Sequence, residues 1–97
     1  MRVAVVKKKP AEKFAIGFKY STADLTVDAT IQSVVVAITP TELTGGLAIE
    51  GTPAKDDYTV SAVIKGGTDG HEYYVTFTVT TSKGQIFQDK IFVKVRG

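Results

Sequence analysis

The chain predicts an all-β fold, a Greek-key β-sandwich of about seven strands, and three observations predict it. Apolar and polar residues alternate along most of the sequence, the period-two signature of strands with one buried face. Glycine- and proline-bearing turns interrupt that alternation at intervals of about 8–12 residues, as sandwich strands require. No stretch repeats its apolar residues with the period of about 3.6 that marks an amphipathic helix.

Taken in order, residues 1–9 read as an N-terminal basic arm or edge strand, and residues 10–97 as the sandwich. Val3 and Val5 alternate weakly before Lys7, Lys8 and Lys9. Lysines keep edge strands from pairing with other chains. The alternative is an arm that docks on a neighbouring subunit or an acidic surface. Phe14, Ile16, Phe18 and Tyr20 alternate with Lys13, Ala15, Gly17 and Lys19, which predicts a half-buried strand with an aromatic inner face. Leu25 and Val27 are expected to plug the base of the core from a loop, with at most one helical turn over 21–24.

Ile31, Val34, Val35, Val36 and Ile38 form the richest β-branched segment. Apolar residues on both of its faces predict a central strand, ended by Pro40. Residues 41–46 read as a loop, Leu47 and Ile49 as a short strand, and 51–57 as a long polar loop. Tyr58, Val60, Ala62 and Ile64 then alternate with Thr59, Ser61 and Val63, and pattern alone does not say which set is buried. Gly66, Gly67 and Gly70 mark a tight turn into a C-terminal hairpin. In its first strand Tyr73, Val75, Phe77 and Val79 share one face, with Tyr74, Thr76, Thr78 and Thr80 on the other. After Ser82-Lys83-Gly84 the alternation resumes from Lys90, with Ile91, Val93 and Val95 on the apolar side.

One local detail favours a Greek-key sandwich over a barrel. In Asp69-Gly70-His71-Glu72-Tyr73-Tyr74-Val75 a tyrosine stands two residues before an inward valine. Ig-like domains place a tyrosine there, its hydroxyl bonded to upstream backbone, as a tyrosine corner. Tyr73 is the one in phase with Val75 and Phe77. These residues, with Val36 and the three turn glycines, are the expected structural anchors.

Composition bounds function more than it defines it. Ninety-seven residues make one domain, and a 43% hydrophobic share is enough for a core. There is no cysteine, so neither a disulfide nor a thiolate site is available. A net charge of +2, with basic and acidic residues scattered, does not point to nucleic acid. Lys13, Lys19 and Tyr74 are the best members of a basic-aromatic face, and they are few. No apolar run approaches the roughly 20 residues that span a bilayer, and the N-terminus lacks the order of a signal peptide, so a soluble, unprocessed chain is expected.

The search for chemistry finds little. His71, beside Glu72, is the single histidine and cannot supply a zinc ligand set. Asp56, Asp57 and Asp69 could gather at one end of a sandwich, but calcium takes about six to eight oxygens, and adjacent aspartates are common turn formers. The Gly66-Gly67-x-x-Gly70 run lacks the lysine and the helix of a phosphate loop. No serine or threonine has a nucleophile's setting. The expectation is a protein that is not an enzyme and needs no cofactor or metal. Candidate interaction residues are Lys7, Lys8, Lys9, Pro40, Leu43, Pro53, Asp56 and Asp57.

The segment from Ile64 to Gly84 resembles small tailed-phage virion proteins. Those chains carry a double glycine, a tyrosine, a Val-Thr pair and a Thr-Thr before a further glycine, as Gly66-Gly67, Tyr73, Val75-Thr76, Thr80-Thr81 and Gly84 do here. Lys9-Pro10 before the Phe14–Phe18 strand, and Thr30-Ile31 leading to Pro40, extend the similarity over most of the chain. Departures are Val36 and Val63 where relatives often have tryptophan, and Gln85 where arginine is usual. The resemblance implies an Ig-like structural component of the head–tail or fibre–tail adaptor type. It would be assembled in the host bacterial cytoplasm, multimeric in the particle, and docked on other virion proteins without nucleic acid or membrane. The alternative is a carbohydrate-binding or adhesion module, which would expose a row of aromatics on a sheet face, with Tyr74, Phe87 and Phe92 as candidates. An assembly protein would instead show apolar side chains on an edge strand or in the loops.

Overall fold

A computed structural model describes residues 3–20, 29–39 and 46–97. It contains seven strands: β1 Val3–Lys8, β2 Phe14–Lys19, β3 Ile31–Thr39, β4 Leu47–Lys55, β5 Thr59–Gly66, β6 Glu72–Thr81 and β7 Ile86–Val95. They form a four-stranded sheet in the order β1-β7-β6-β3 and a three-stranded sheet in the order β2-β5-β4. All pairings are antiparallel except β1 with β7, which is parallel. The fold is an all-β sandwich, and its strand order is compatible with an Ig-like arrangement.

The core follows from the period-two alternation. Tyr73, Val75, Phe77 and Val79 of β6 and Ile91, Val93 and Val95 of β7 face inward, all buried. From the opposite sheet come Ile16, Leu47, Val60, Ala62 and Ile64. The burial of Val60, Ala62 and Ile64 decides which face of β5 is inner. Phe18 and Phe77 meet edge to face across the sheets, with ring centroids 5.6 Å apart. A fully buried valine, leucine, isoleucine or phenylalanine contributes about 1.5–3 kcal/mol of hydrophobic stabilisation.

Two backbone features fix the ends. Gly67 has φ 101°, and a Cβ there would lie 2.8 Å from Val95 Cγ2. The turn it allows carries the Thr68 amide to the Tyr73 hydroxyl, which accepts its hydrogen bond at 3.0 Å. That bond ties the β6 entry to backbone five residues upstream. Gly17, on β2, has no room for a side chain, because a Cβ would fall 1.9 Å from Val60 O of the paired strand.

Several sequence expectations are corrected. The Ile31–Thr39 strand is an edge strand of its sheet rather than a central one. Val34, Val36 and Ile38 pack against the core, while Val35 is 64% exposed. The polar stretch 51–57 is not wholly a loop, because β4 continues to Lys55 through a register shift between Glu50 and Ala54. Gly51, with φ 73°, and Pro53, which has no amide to donate, fit such an irregularity. Strand β7 starts at Ile86 rather than Lys90, which turns Phe87 toward the core. Leu25, Val27, Pro40 and Leu43 lie outside the described residues.

Candidate docking face

Because successive side chains alternate, each sheet has an outer face, and register assembles it row by row. On the four-stranded sheet Val5 lies beside Phe92, Phe92 beside Tyr74, and Tyr74 beside Thr39. The next row holds Val3, Lys90, Thr76 and Ala37, followed by Gln88, Thr78 and Val35. Ile86, Thr80 and Ser33 complete the far end, and Lys7, Lys94 and Glu72 the near one. Every large hydrophobic residue that is exposed among those described (Val3, Val5, Val35, Tyr74 and Ile86, 41–67% exposed) stands on this one face.

The aromatic pair at its centre is ordered by its neighbours. Tyr74 and Phe92 have ring centroids 4.8 Å apart and planes tilted by 30°. Lys90 Nζ lies 5.5 Å from the Tyr74 ring centroid and Lys94 Nζ 5.7 Å from that of Phe92. Such contacts contribute about 0.5–1 kcal/mol at exposed sites. Gln88 Nε2 donates to Thr78 Oγ1 at 3.3 Å, tying β7 to β6 above the pair. The carboxylate on this face, Glu72, sits 3.7 Å from the Arg96 guanidinium, which leaves Lys7, Lys90 and Lys94 to make the face positive.

The sequence-predicted interaction residues do not form one group. Lys7 is exposed on the face just described, while Lys8 is buried, 1% exposed. Its ammonium donates to the carbonyls of Gly66 (2.6 Å), Lys9 (2.9 Å) and Pro10 (3.3 Å), which pins the end of β1 to the glycine turn. Burial lowers the Lys8 pKa from its ordinary value, and the nearby Glu12 charge opposes that shift. Lys9 begins a turn in which its amide donates to Glu12 Oε1 at 2.7 Å. Pro53 lies in the β4 irregularity, close to the other end of the sandwich.

Asp56 caps the start of β5, its Oδ1 accepting from the amides of Tyr58 (2.9 Å) and Thr59 (2.8 Å). Those bonds, with one from the Thr59 side chain as the largest contribution, hold its carboxyl below the ordinary range. Asp57 uses its backbone, its carbonyl accepting from the Ile31 amide at 3.0 Å. Asp69 stands beyond the opposite end of β5, where it accepts from the Gly97 amide at 2.8 Å. The three aspartates therefore do not gather at one end of the sandwich. Among the described residues there is no pocket and no group of three metal-ligating side chains.

Two features escaped the sequence reading. Asp89 is buried on the inner face of β7, where the Tyr20 hydroxyl donates to its Oδ2. Its phase, two residues before Ile91, was the available signal. The outward Val3, Val5, Val35 and Ile86 likewise announce themselves only once the inner phase of each strand is known.

Fold and face together define a β-sandwich with one apolar, positively charged outer surface. The family model of the podophage GP4 fiber-tail adaptor protein gp77 matches residues 8–94, and the chain belongs to this family. The family is one of phage structural adaptors, which makes the protein a virion component associated with other virion proteins. No curated protein matches the chain.

Proposed function

We propose that the chain is a non-enzymatic, Ig-like adaptor that docks on other virion proteins through the outer face of its four-stranded sheet. The observation that carries this is the confinement, among the described residues, of the exposed large hydrophobics to that face. Contiguous exposed apolar surface on a small domain marks an interaction site, and aromatic side chains are enriched at the centres of such sites. The three lysines favour a partner surface whose apolar strip is bordered by carboxylates. Lys7 belongs to this face, and Lys9 lies in the turn that follows β1. Burial of Lys8 makes it a strut for β1 rather than a contact.

The experiment is reconstitution of particles that lack the chain with purified protein. Tyr74→Ala and Phe92→Ala should each reduce incorporation at least about tenfold, the effect expected of a central contact residue. Lys65→Ala, on the outer face of the other sheet, should incorporate normally. Normal incorporation of both aromatic variants would overturn the proposal. The Tyr74–Phe92 pair also favours a second reading, recognition of a carbohydrate. Against it, the rings lean on each other beneath two lysines instead of offering a flat platform. Binding to a glycan array that Tyr74→Ala abolishes would establish the second reading.

A further inference from the structure

Strand β1 buries little apolar surface. Val3 and Val5 are 60% and 61% exposed, Ala4 and Lys7 are exposed as well, and Val6 is half-buried. Its strand partner is β7 alone, and the pairing is parallel. A hairpin partner has its register fixed by the turn. No turn joins β1 to β7, because the chain passes from β1 to β2 in the opposite sheet. The sequence of β1 is also indifferent to register. Val3 and Val5 on one side match Ala4 and Val6 on the other, and Lys7, Lys8 and Lys9 follow in a row. A slip of one residue would exchange the two sides. Alternation by itself does not hold this strand in place.

Lys8 supplies what the pattern lacks. It is the buried lysine among the described residues, and its ammonium has three protons to donate. They meet the carbonyls of Gly66 at 2.6 Å, Lys9 at 2.9 Å and Pro10 at 3.3 Å. Two of these carbonyls belong to the turn that follows β1, and the third ends β5 in the other sheet. Both sides of the cage are constrained. The turn is closed by the Glu12 amide donating to Lys9 O at 3.0 Å and the Lys9 amide donating to Glu12 Oε1 at 2.7 Å. Gly66 has φ 73°, and a Cβ there would stand 2.9 Å from Gly46 O. The Arg96 amide adds a bond to Lys8 O at 2.9 Å. The cage takes one lysine of the three, since Lys7 and Lys9 are both exposed.

We infer that Lys8 is the positioning residue of the docking face: its caged ammonium fixes β1 on β7 in the register that puts Val3, Val5 and Lys7 on that face. Without the cage contact β1 leaves β7 while the other six strands stay folded, because Val6 is the one apolar β1 side chain packed against the core. The face then loses a whole column, and Val5 no longer stands beside Phe92. The consequence for docking rests on the proposed function, whereas the hold of Lys8 on β1 stands without it.

Hydrogen exchange on the full chain reads that hold directly. In the unaltered chain the β1 amides should be less protected than those of β6. Lys8→Met keeps a stem of similar length and removes the ammonium. It should speed exchange of the β1 amides, and of the β7 amides bonded to them, at least about tenfold, the effect of losing a charged hydrogen bond. Amides of β5 and β6 should keep their rates, and Lys9→Met should match the unaltered chain throughout. Propylammonium should restore β1 protection to Lys8→Ala, and tetramethylammonium, which has the charge but no N–H, should not. In reconstituted particles Lys8→Met should lose incorporation and Lys9→Met should keep it. Unchanged β1 protection in Lys8→Met, or a loss that spreads equally to β5 and β6, overturns the inference. Normal incorporation of Lys8→Met after β1 protection is lost overturns its part in docking. The docking role itself survives that result if Tyr74→Ala and Phe92→Ala still fail to incorporate.

Discussion

The two outer faces of this sandwich are built from the same alternation and end with opposite characters. On the four-stranded sheet the outward positions hold Val3, Val5, Tyr74, Phe92, Val35 and Ile86. On the three-stranded sheet they hold Ala15, Gly17, Ala48, Ser61 and Ala54, with Val63 half-buried among them. Charges follow suit. Glu50 is satisfied by Lys13 at 2.9 Å and Lys65 at 3.7 Å, while Lys7 is exposed and the half-buried Lys90 and Lys94 lie over the aromatic rings of an apolar surface. One face has settled its interactions within the chain and the other presents them outward. A sandwich core needs only the inner faces, so an outer face this apolar is what the proposed docking role accounts for.

Substitutions that strike one face and spare the other sharpen this contrast, and the largest effect falls on the small-residue face. Gly17→Ala forces a Cβ into Val60 O and should cost about 3 kcal/mol in denaturant unfolding, while Ala15→Ser two residues away should be neutral. An unchanged midpoint for Gly17→Ala would show that β2 and β5 separate freely and that this face is not tightly built.

The adjacent tyrosines divide the roles within a single strand. Tyr73→Phe removes the acceptor for the Thr68 amide and should destabilise by about 1–2 kcal/mol with no direct effect on docking. Tyr74→Ala gives up a cross-strand aromatic pair and should cost under about 1 kcal/mol, with its consequence in particle incorporation. If stability and incorporation respond in the reverse order, the assignment of inner and outer roles fails.

The smallest effect concerns acid. The hydrogen bond and charge of Lys13, then Lys65, hold Glu50 below its ordinary 4.5, and the Thr59 and Tyr58 hydrogen bonds hold Asp56 below 3.8. Both pKa values are depressed in the folded state, so their contribution is present above the ordinary values and lost as pH falls through the depressed ones. Glu50→Gln should slightly flatten the acid limb of the stability curve and leave the midpoint at neutral pH almost unmoved, because the pair is solvent-exposed. A large shift at neutral pH would mean that the ion pairs, and not the close packing, define that face.

Much of the fold was legible along the chain. The inner phases of β2, β6 and β7, Tyr73 among them, and the glycine turn depend on period-two alternation and on turn chemistry, which act between near neighbours. The expectations for β3 and β4 went astray for one reason. Val34-Val35-Val36 has the composition of a central strand although pairing places it at the edge of its sheet, and Gly51 to Lys55 has the composition of a loop although β5 draws it into the sheet. The candidate face was harder to see, because Val3, Val5, Tyr74, Phe92 and Val35 are far apart in sequence and meet only through register.

By itself, then, the sequence determined the all-β class, the inner phase of most strands and the absence of disulfides. Each depends on residue type and spacing within one segment. Only the tertiary structure decided that Lys8 is buried, that Asp89 faces Tyr20, that β3 is an edge and that one outer face collects the exposed apolar residues. Those outcomes depend on which strands lie side by side, and pairing between distant segments is selected by the packing of the whole core and not by any one strand's pattern.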